Sequence, residues 1–268
     1  MPEPGAGGHA KRLVGMVHLP ALPGAPRAAV PMLEIEARAV SEARLLAEAG
    51  FDACIVENFG DTPFHKERVD PVTVAAMARI VTTLRRELPE LPLGVNVLRN
   101  DASAAVAIAA ACGAEFVRVN VHVGATATDQ GVVEGRAAET LRLRQALGAR
   151  VQVWADVFVK HGRNLAYESI ADEAHDAVER GGADALIVTG KRTGWTTSID
   201  DLRAVRESLP GVPILVGSGV SARNVSLFLK EADGVIVGSA LELEGQAGNR
   251  IDPERVRRFV EAAQQPIS

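Results

Sequence analysis

The chain has 268 residues, of which 47% are hydrophobic, and a formal net charge of −5 at pH 7. This length suits one α/β domain with a large core, and the acidic balance argues against a nucleic-acid-binding surface. No apolar run approaches the roughly 18 residues of a membrane helix, so we expect no membrane insertion and a cytoplasmic location. The two cysteines, Cys54 and Cys112, lack metal-binding spacing and are expected to be reduced.

Residues 1–11 are polar and rich in glycine and proline, which predicts a flexible tail before one domain over residues 12–268. In that domain, short apolar segments alternate with segments of helical spacing. The predicted strands are Leu13–Val17, Ala53–Val56, Leu93–Asn96, Phe116–Val121, Val151–Asp156, Ala185–Thr189 and the segments that begin at Pro213 and Ala232. The predicted helices cover residues 31–49, 70–88, 101–112, 136–147, 169–180, 199–208, 222–230 and 253–263.

The strict alternation of strands and helices implies parallel strands with right-handed crossovers. An open doubly wound sheet is the alternative, but no GxGxxG follows the first strand. Eight repeats favour closure, so we predict a single-domain (β/α)₈ TIM barrel.

The loops after the last two strands carry small residues that indicate a phosphate site. Small residues let backbone N–H groups approach a ligand closely, and each loop leads toward a predicted helix whose N-terminus favours an anion. TIM barrels commonly hold phosphate at these two loops. If no phosphate binds, the glycines serve only tight turns. The predicted phosphate-binding residues are Gly217, Ser218, Gly219, Gly238 and Ser239.

Polar residues end six of the predicted strands on their inward faces, where a barrel enzyme has its active site. These residues are His18, Glu57, Asn96, Asn120, Asp156 and Thr189. Along the fourth strand the same periodicity turns Phe116, Arg118 and His122 inward, and along the fifth it turns Gln152 and Trp154 inward. A purely structural barrel would place apolar residues there, because buried polar groups cost free energy unless they are paired.

We expect Glu57 and Asp156 to be the acid–base carboxylates. The alternative for either is that it simply neutralises Arg118. The predicted substrate-binding residues are His18, Asn96, Arg118, Asn120, Thr189 and Lys191.

Lys191 follows the sixth strand, and its ammonium group suits a phosphate or substrate contact, with a solvated loop lysine as the alternative. The His-x-His that metal-dependent barrel hydrolases typically carry after the first strand is absent, because His18 is followed by Leu19 and Pro20. We therefore expect no metal and no other cofactor, with metal binding through Glu57 and Asp156 as the alternative. The expected partner is a phosphorylated small molecule, and formation of a homo-oligomer is left open.

Ordered motifs run along the whole domain. The motifs are Met16-Val-His-Leu-Pro-Ala-Leu-Pro-Gly24, Val56-Glu-Asn-Phe-Gly-Asp-Thr-Pro-Phe64, Gly94-Val-Asn-Val-Leu-Arg-Asn-Asp101, Arg118-Val-Asn-Val-His122, Asp156-Val-Phe-Val-Lys-His161, Val188-Thr-Gly190 and Val216-Gly-Ser-Gly-Val220. Together they resemble the BtpA/SgcQ family, and the resemblance implies a (β/α)₈ barrel. Members of the family are linked to photosystem I biogenesis or stand beside sugar-metabolism genes, and a nucleosidase-like activity has been suggested.

Two hypotheses follow. In the first, the protein is an enzyme that acts on a phosphorylated metabolite, a sugar phosphate or a nucleotide, by nucleosidase-like cleavage, isomerisation or lyase chemistry. In the second, it is a non-catalytic assembly or regulatory factor of the photosystem I biogenesis type. The polar barrel mouth favours the enzyme, because a scaffold has no need of so many buried polar groups.

Overall fold

Eight parallel strands, β1 to β8 in chain order, each pair with the next, and β8 pairs with β1 to close a barrel. The computed structural model describes residues 11–190 and 197–265, so Lys191 and residues 1–10 of the predicted tail lie outside the described residues. The strands are β1 (Arg12–His18), β2 (Ala53–Glu57), β3 (Leu93–Asn96), β4 (Phe116–Val119), β5 (Gln152–Val157), β6 (Ala185–Val188), β7 (Ile214–Val216) and β8 (Gly234–Val237). The predicted TIM-barrel fold is confirmed.

One helix follows each strand. The helices are α1 (Met32–Glu48), α2 (Pro71–Glu87), α3 (Ala102–Cys112), α4 (Ala137–Ala146), α5 (Ile170–Glu179), α6 (Ile199–Ser208), α7 (Val225–Glu231) and α8 (Pro253–Gln264). Side-chain caps begin several of them, as at Asp101, which accepts a hydrogen bond from the Ala104 amide. Gly113 ends α3 with φ of 77°, a backbone conformation that favours glycine.

Seven of the predicted helices agree with the structure to within one residue at each end, but α7 begins three residues later than predicted. Its delayed start has a local cause. The Asn224 side chain accepts a hydrogen bond from the Ser221 amide and donates one to the Gly219 carbonyl. These bonds favour a turn over residues 221–224, because an asparagine side chain competes with the helical pattern.

The barrel interior is filled by apolar side chains that form a floor below the mouth. Gly94 makes room for the Phe116 ring of this floor, because a Cβ atom at position 94 would lie 2.2 Å from the ring. Phe116 stacks on Trp154 with ring centroids 3.8 Å apart. The predicted inward faces of the fourth and fifth strands are therefore correct for these two residues. The remaining inward apolar residues are Val14, Met16, Ala53, Ile55, Ala185, Ile187, Leu215 and Ile236.

The segment between β4 and α4 contains a small sheet that is absent from the predicted strands. Residues Ala125–Thr128 and Gly131–Glu134 form an antiparallel hairpin, to which Arg163–Asn164 adds a third short strand. Gly131 adopts φ of 96° at the turn. The hairpin buries Val133 against Val121 and Val159, which gives this small sheet an apolar contact with the barrel. Its four-residue strands are too short to stand out in a segment rich in Gly, Thr and Asp.

No helix within residues 11–190 and 197–265 is long and apolar enough to cross a membrane.

Candidate functional site

A cleft of about 480 Å³, including its opening to solvent, lies at the carboxyl ends of the barrel strands. It is lined by Met16, His18, Glu57, Phe59, Arg118, Lys160, Gly217, Ser218, Gly219, Val220, Ile236, Val237, Gly238, Ser239 and Ala247. The structure thus brings together all five predicted phosphate-binding residues with His18, Glu57 and Arg118. Asn96, Asn120, Asp156 and Thr189 lie behind this lining, and Lys191 is outside the described residues.

The two glycine–serine loops present unused backbone donors to the cleft. In the described part of the chain, the amides of Gly219, Val220, Gly238 and Ser239 donate no hydrogen bond. Buried or half-buried amides are rarely left without an acceptor, so these N–H groups are available to a ligand. Gly219 adopts φ of 69°, and a Cβ atom at Gly238 would lie 2.7 Å from the His18 ring. At both positions glycine is required by geometry.

Side-chain bonds fix the shape of the first loop, because Thr197 donates to the carbonyl of Ser218 and Asn224 donates to that of Gly219. The helices that follow the two loops begin differently from the prediction. The α7 helix starts only at Val225, and Gly238 leads into a short 3₁₀ helix, Ser239–Leu241, rather than an α-helix. The Gly238 and Ser239 amides therefore lie at the N-terminus of this 3₁₀ helix, whereas the Gly219 and Val220 amides belong to a loop.

Asp156 is held by a buried ion pair. Arg118 donates from Nε to Oδ1 at 2.9 Å and from Nη2 to Oδ2 at 3.0 Å. Asn120 adds a third hydrogen bond to Oδ2, at 2.8 Å. Burial alone would lower the pKa of Arg118, but Asp156 raises it above its ordinary value. Both oxygens of Asp156 are thus occupied, and it neutralises the deeper cation.

The predicted substrate-binding asparagines support this ion pair. Asn96 donates to the Arg118 carbonyl at 3.0 Å and to Asn120 Oδ1 at 3.3 Å. Because Asn120 in turn donates to Asp156, the two amides form a hydrogen-bonded chain below the cleft. His122, which the strand periodicity placed at the mouth, instead hydrogen-bonds the Gly181 carbonyl, because the chain leaves β4 after Val119. Burial lowers the pKa of His122.

His18 joins two carboxylates. Its Nδ1 lies 2.5 Å from Glu242 Oε1, and its Nε2 lies 3.6 Å from Glu57 Oε1. The hydrogen bond between Nδ1 and Glu242 turns Nε2 of the same ring toward Glu57. The Phe59 ring packs on His18 with centroids 4.6 Å apart and holds its plane. In contrast to Asp156, the Glu57 carboxylate accepts no hydrogen bond from the described residues.

Lys160 supplies a cation to the cleft. Burial lowers the pKa of Lys160 and the Arg118 charge lowers it further, whereas Glu57 and Asp156 act in the opposite direction. No carboxylate of residues 11–190 or 197–265 forms an ion pair with its ammonium group. Thr189 positions this lysine, because its hydroxyl accepts a hydrogen bond from the Lys160 amide and donates to the Phe158 carbonyl.

Sequence reasoning missed Glu242, Phe59 and the role of Lys160. Glu242 lies four residues beyond Gly238 in a loop, where no strand periodicity marks a direction. Lys160 follows Asp156 closely, and its position on a loop at the mouth is a usable signal. In the part of the chain that the structure describes, no three His, Cys, Asp or Glu side chains are arranged to hold a metal ion.

A closed parallel (β/α)₈ barrel with polar residues gathered at the carboxyl ends of its strands defines a TIM-barrel protein. The chain belongs to the BtpA family, whose model matches residues 9–265. The "Photosystem I biogenesis protein BtpA" of Synechocystis sp. is 45% identical over 250 residues, which cover 93% of this chain and 87% of that protein.

Two solved structures share the fold at low sequence identity. N-(5'-phosphoribosyl)anthranilate isomerase from Pyrococcus furiosus matches with a TM-score of 0.56 at 16% identity, covering 94% of this chain and 98% of the other. The 3-keto-L-gulonate-6-phosphate decarboxylase of Vibrio cholerae matches with a TM-score of 0.54 at 17% identity, covering 97% of each chain. At these identities the likeness extends to the barrel fold alone.

Proposed function

We propose that the protein is an enzyme that acts on a small phosphorylated metabolite, a sugar phosphate or a nucleotide. One observation carries this proposal: among the described residues, a single cleft contains amides that donate no hydrogen bond, a lysine outside any ion pair and a carboxylate beside an imidazole. Amides at a tight loop bind phosphate oxygens directly, and a nearby ammonium adds charge complementarity. The two solved structures whose names include a phosphorylated compound have the same fold, which supports the proposal by analogy.

In this proposal the phosphate lies on Gly217–Gly219 and Gly238–Ser239, with Lys160 across the cleft. Glu57 and His18 then exchange a proton with the part of the metabolite that lies between them. His18 Nε2 is the acceptor side of the ring, and Glu242 stabilises the imidazolium that forms when Nε2 takes a proton. Such a pair serves isomerisation, lyase chemistry or nucleosidase-like cleavage of a C–N or C–O bond.

Asp156 and Arg118 have a different place in this mechanism. Three hydrogen bonds hold Asp156, and its side chain is 0% exposed, which keeps it away from substrate. We therefore assign acid–base work to Glu57 and assign Asp156 to the positioning of Arg118, whose guanidinium borders the cleft. Thr189, Asn96 and Asn120 support Lys160 and this ion pair rather than contact the substrate.

The phosphate site is tested by adding a negative charge to it. Ser239→Glu should weaken the binding of inorganic phosphate and of glycerol 3-phosphate by about tenfold or more, because like charges in a cleft repel strongly. Isothermal titration calorimetry measures both affinities. Ser208→Glu adds the same charge to an exposed position at the end of α6 and should leave them unchanged. Equal affinities in wild type and Ser239→Glu would refute the phosphate site.

The acid–base assignment is tested at Glu57. A panel of sugar phosphates and nucleotides is incubated with the protein, and turnover of each is followed by NMR. Glu57→Gln should slow the reaction about 100-fold or more while phosphate affinity is retained, since general acid–base catalysis contributes about 10²–10⁴-fold. Glu90→Gln, an exposed change between α2 and β3, is the matched control. Undiminished turnover in Glu57→Gln would contradict the assignment.

An assembly role is the second candidate, because the Synechocystis relative is named for photosystem I biogenesis. It predicts that a protein with a blocked cleft still performs its cellular function. Complementation of a strain lacking the gene separates the two candidates. Rescue by Ser239→Glu favours assembly, and failure of that variant together with Glu57→Gln favours the enzyme.

A further inference from the structure

A second cleft, broader than the first, lies between the small hairpin sheet and the loops after β2, β3 and β5. Its lining includes Phe64, Arg99, Thr128, Asp129, His161 and Arg163. The exposed Arg163 and the buried Arg99 give it more positive than negative charge, since Asp129 is its one carboxylate among the described lining residues.

Arg99 is an unusual residue because its cation is buried without a counter-charge. It is 6% exposed, and no carboxylate in residues 11–190 or 197–265 forms an ion pair with it. Its Nη2 donates to the Lys160 carbonyl at 2.8 Å, whereas Nε has no partner and Nη1 has no bond to the described residues. Burial lowers the pKa of Arg99, and the more distant charges of Asp156 and Glu57 only partly offset that effect. A buried arginine is costly unless an anion approaches it.

The position of Arg99 connects the two clefts. The carbonyl that it holds belongs to Lys160, and the side chain of Lys160 borders the phosphate cleft. Lys160 is therefore the residue shared by the surroundings of Arg99 and by the lining of the first cleft. Asp129 is bonded to Gln130 at the exposed rim and would repel an anion there, so an anionic group is expected on the Arg99 side of the cleft.

We propose that Arg99 forms a second anionic subsite, which binds the carboxylate of a phosphorylated metabolite whose phosphate lies on the two glycine–serine loops. This inference rests on the proposed function and narrows it to phosphorylated acids. A guanidinium matches a carboxylate in charge and in hydrogen-bond geometry, and it is fully ionised at neutral pH. A substrate held at both ends would be placed across the mouth, with its middle beside Glu57 and His18.

The experiment compares pairs of probes that differ in one carboxylate. The pairs are 6-phosphogluconate with sorbitol 6-phosphate and 3-phosphoglycerate with glycerol 3-phosphate, so that two ligand lengths are sampled. Affinities of the full chain are measured by calorimetry. In at least one pair, wild type should bind the acid about tenfold more tightly. Arg99→Gln should remove this difference in affinity. It should leave the affinity for the probe that lacks the carboxylate unchanged.

Controls separate a failed subsite from a failed phosphate site. Arg142→Gln removes an exposed arginine of α4 and should keep the preference for the acid. Arg99→Lys, which retains the cation, should keep part of the preference for the acid. Equal affinity within both pairs in wild type overturns the subsite alone, without reliance on any variant. Absence of binding by all four probes and by inorganic phosphate overturns the proposed function and the subsite together.

Discussion

Replacing Asp156 by asparagine should lower the free energy of unfolding by about 3–5 kcal/mol, the usual cost of breaking a buried ion pair. The Arg118 and Asp156 side chains are 2% and 0% exposed, so water cannot replace the lost charge. An asparagine at this position keeps one oxygen but turns an N–H group toward Arg118 or Asn120, which are themselves donors. The variant therefore leaves a buried cation and creates a donor–donor contact.

Urea unfolding at pH 7 measures this loss. Glu87→Gln is the matched control, because it breaks the exposed Glu87–Arg44 ion pair and should cost less than about 1 kcal/mol. A double change, Arg118→Met with Asp156→Leu, should recover much of the stability, since an apolar pair of similar volume avoids the desolvation cost. A loss below about 1 kcal/mol in Asp156→Asn would contradict the ion-pair argument.

This result bears on how the mechanism can be dissected. Asp156→Asn affects folding as well as catalysis, whereas Glu57 has no hydrogen-bond partner among the described residues and gives the cleaner test. The two carboxylates look equivalent in the sequence, because both end a strand on its inward face. Their contacts in the structure differ, because Asp156 pairs with Arg118 whereas Glu57 lies beside His18.

Glu173→Gln should stabilise the protein at pH 8 by on the order of 2 kcal/mol. Burial raises the pKa of Glu173 to about 7, and the Asp156 charge adds to the increase, while hydrogen bonds from the Phe158 amide and Asn164 lower it. Both donors bind the same carboxylate oxygen, at 2.9 Å each, and a glutamine oxygen can accept both. The amide thus keeps the contacts and removes the buried charge.

The sign of the pH dependence follows from the direction of the shift. The folded protein holds the Glu173 proton more tightly than the unfolded chain, whose pKa is near the ordinary 4.5. The stability from this group is fully present below about pH 4.5 and is lost as the pH rises through about 7. The advantage of Glu173→Gln over wild type should therefore grow between pH 5 and pH 8.

Denaturant unfolding at several pH values tests the Glu173 prediction. Glu179→Gln removes a carboxyl group from an exposed position on the same helix and controls for the change in net charge. A difference between wild type and Glu173→Gln that stays constant from pH 5 to pH 8 would contradict the raised pKa. The protonation of Glu173 also bears on the cleft, because Glu173 accepts a hydrogen bond from the Phe158 amide in the loop that carries Lys160.

The sequence predicts the barrel because its signals are local and repeated. Apolar strands of three to seven residues alternate with helices, and period two assigns Phe116, Arg118, Trp154 and Asp156 to the interior correctly. The two glycine–serine loops are recognisable for the same reason, since each directly follows a strand. They border the cleft as predicted, although their binding of phosphate is still a proposal.

The remaining features depend on long-range contacts that no local pattern encodes. Glu242 meets His18 across 224 positions of sequence, and Arg99 meets Lys160 across 61. His122 escapes the strand periodicity because β4 ends before it. The pairing of Asp156 with Arg118 rather than Glu57 with Arg118 is decided by distances across neighbouring strands. The two-residue period of a strand predicts on which face of the sheet a side chain lies. It does not predict which side chain it pairs with.

The floor of stacked rings below Arg118 has a kinetic consequence. Phe116 and Trp154 fill the barrel interior, so the cleft opens on the side where the strands end. Under the proposed function, reactant and product share one passage, and a phosphorylated reactant binds the glycine–serine amides. A product that keeps its phosphate must vacate those amides before the next molecule enters. Inhibition by such a product is therefore expected to be competitive with the reactant. Product release, rather than the chemical step, can then limit the turnover rate.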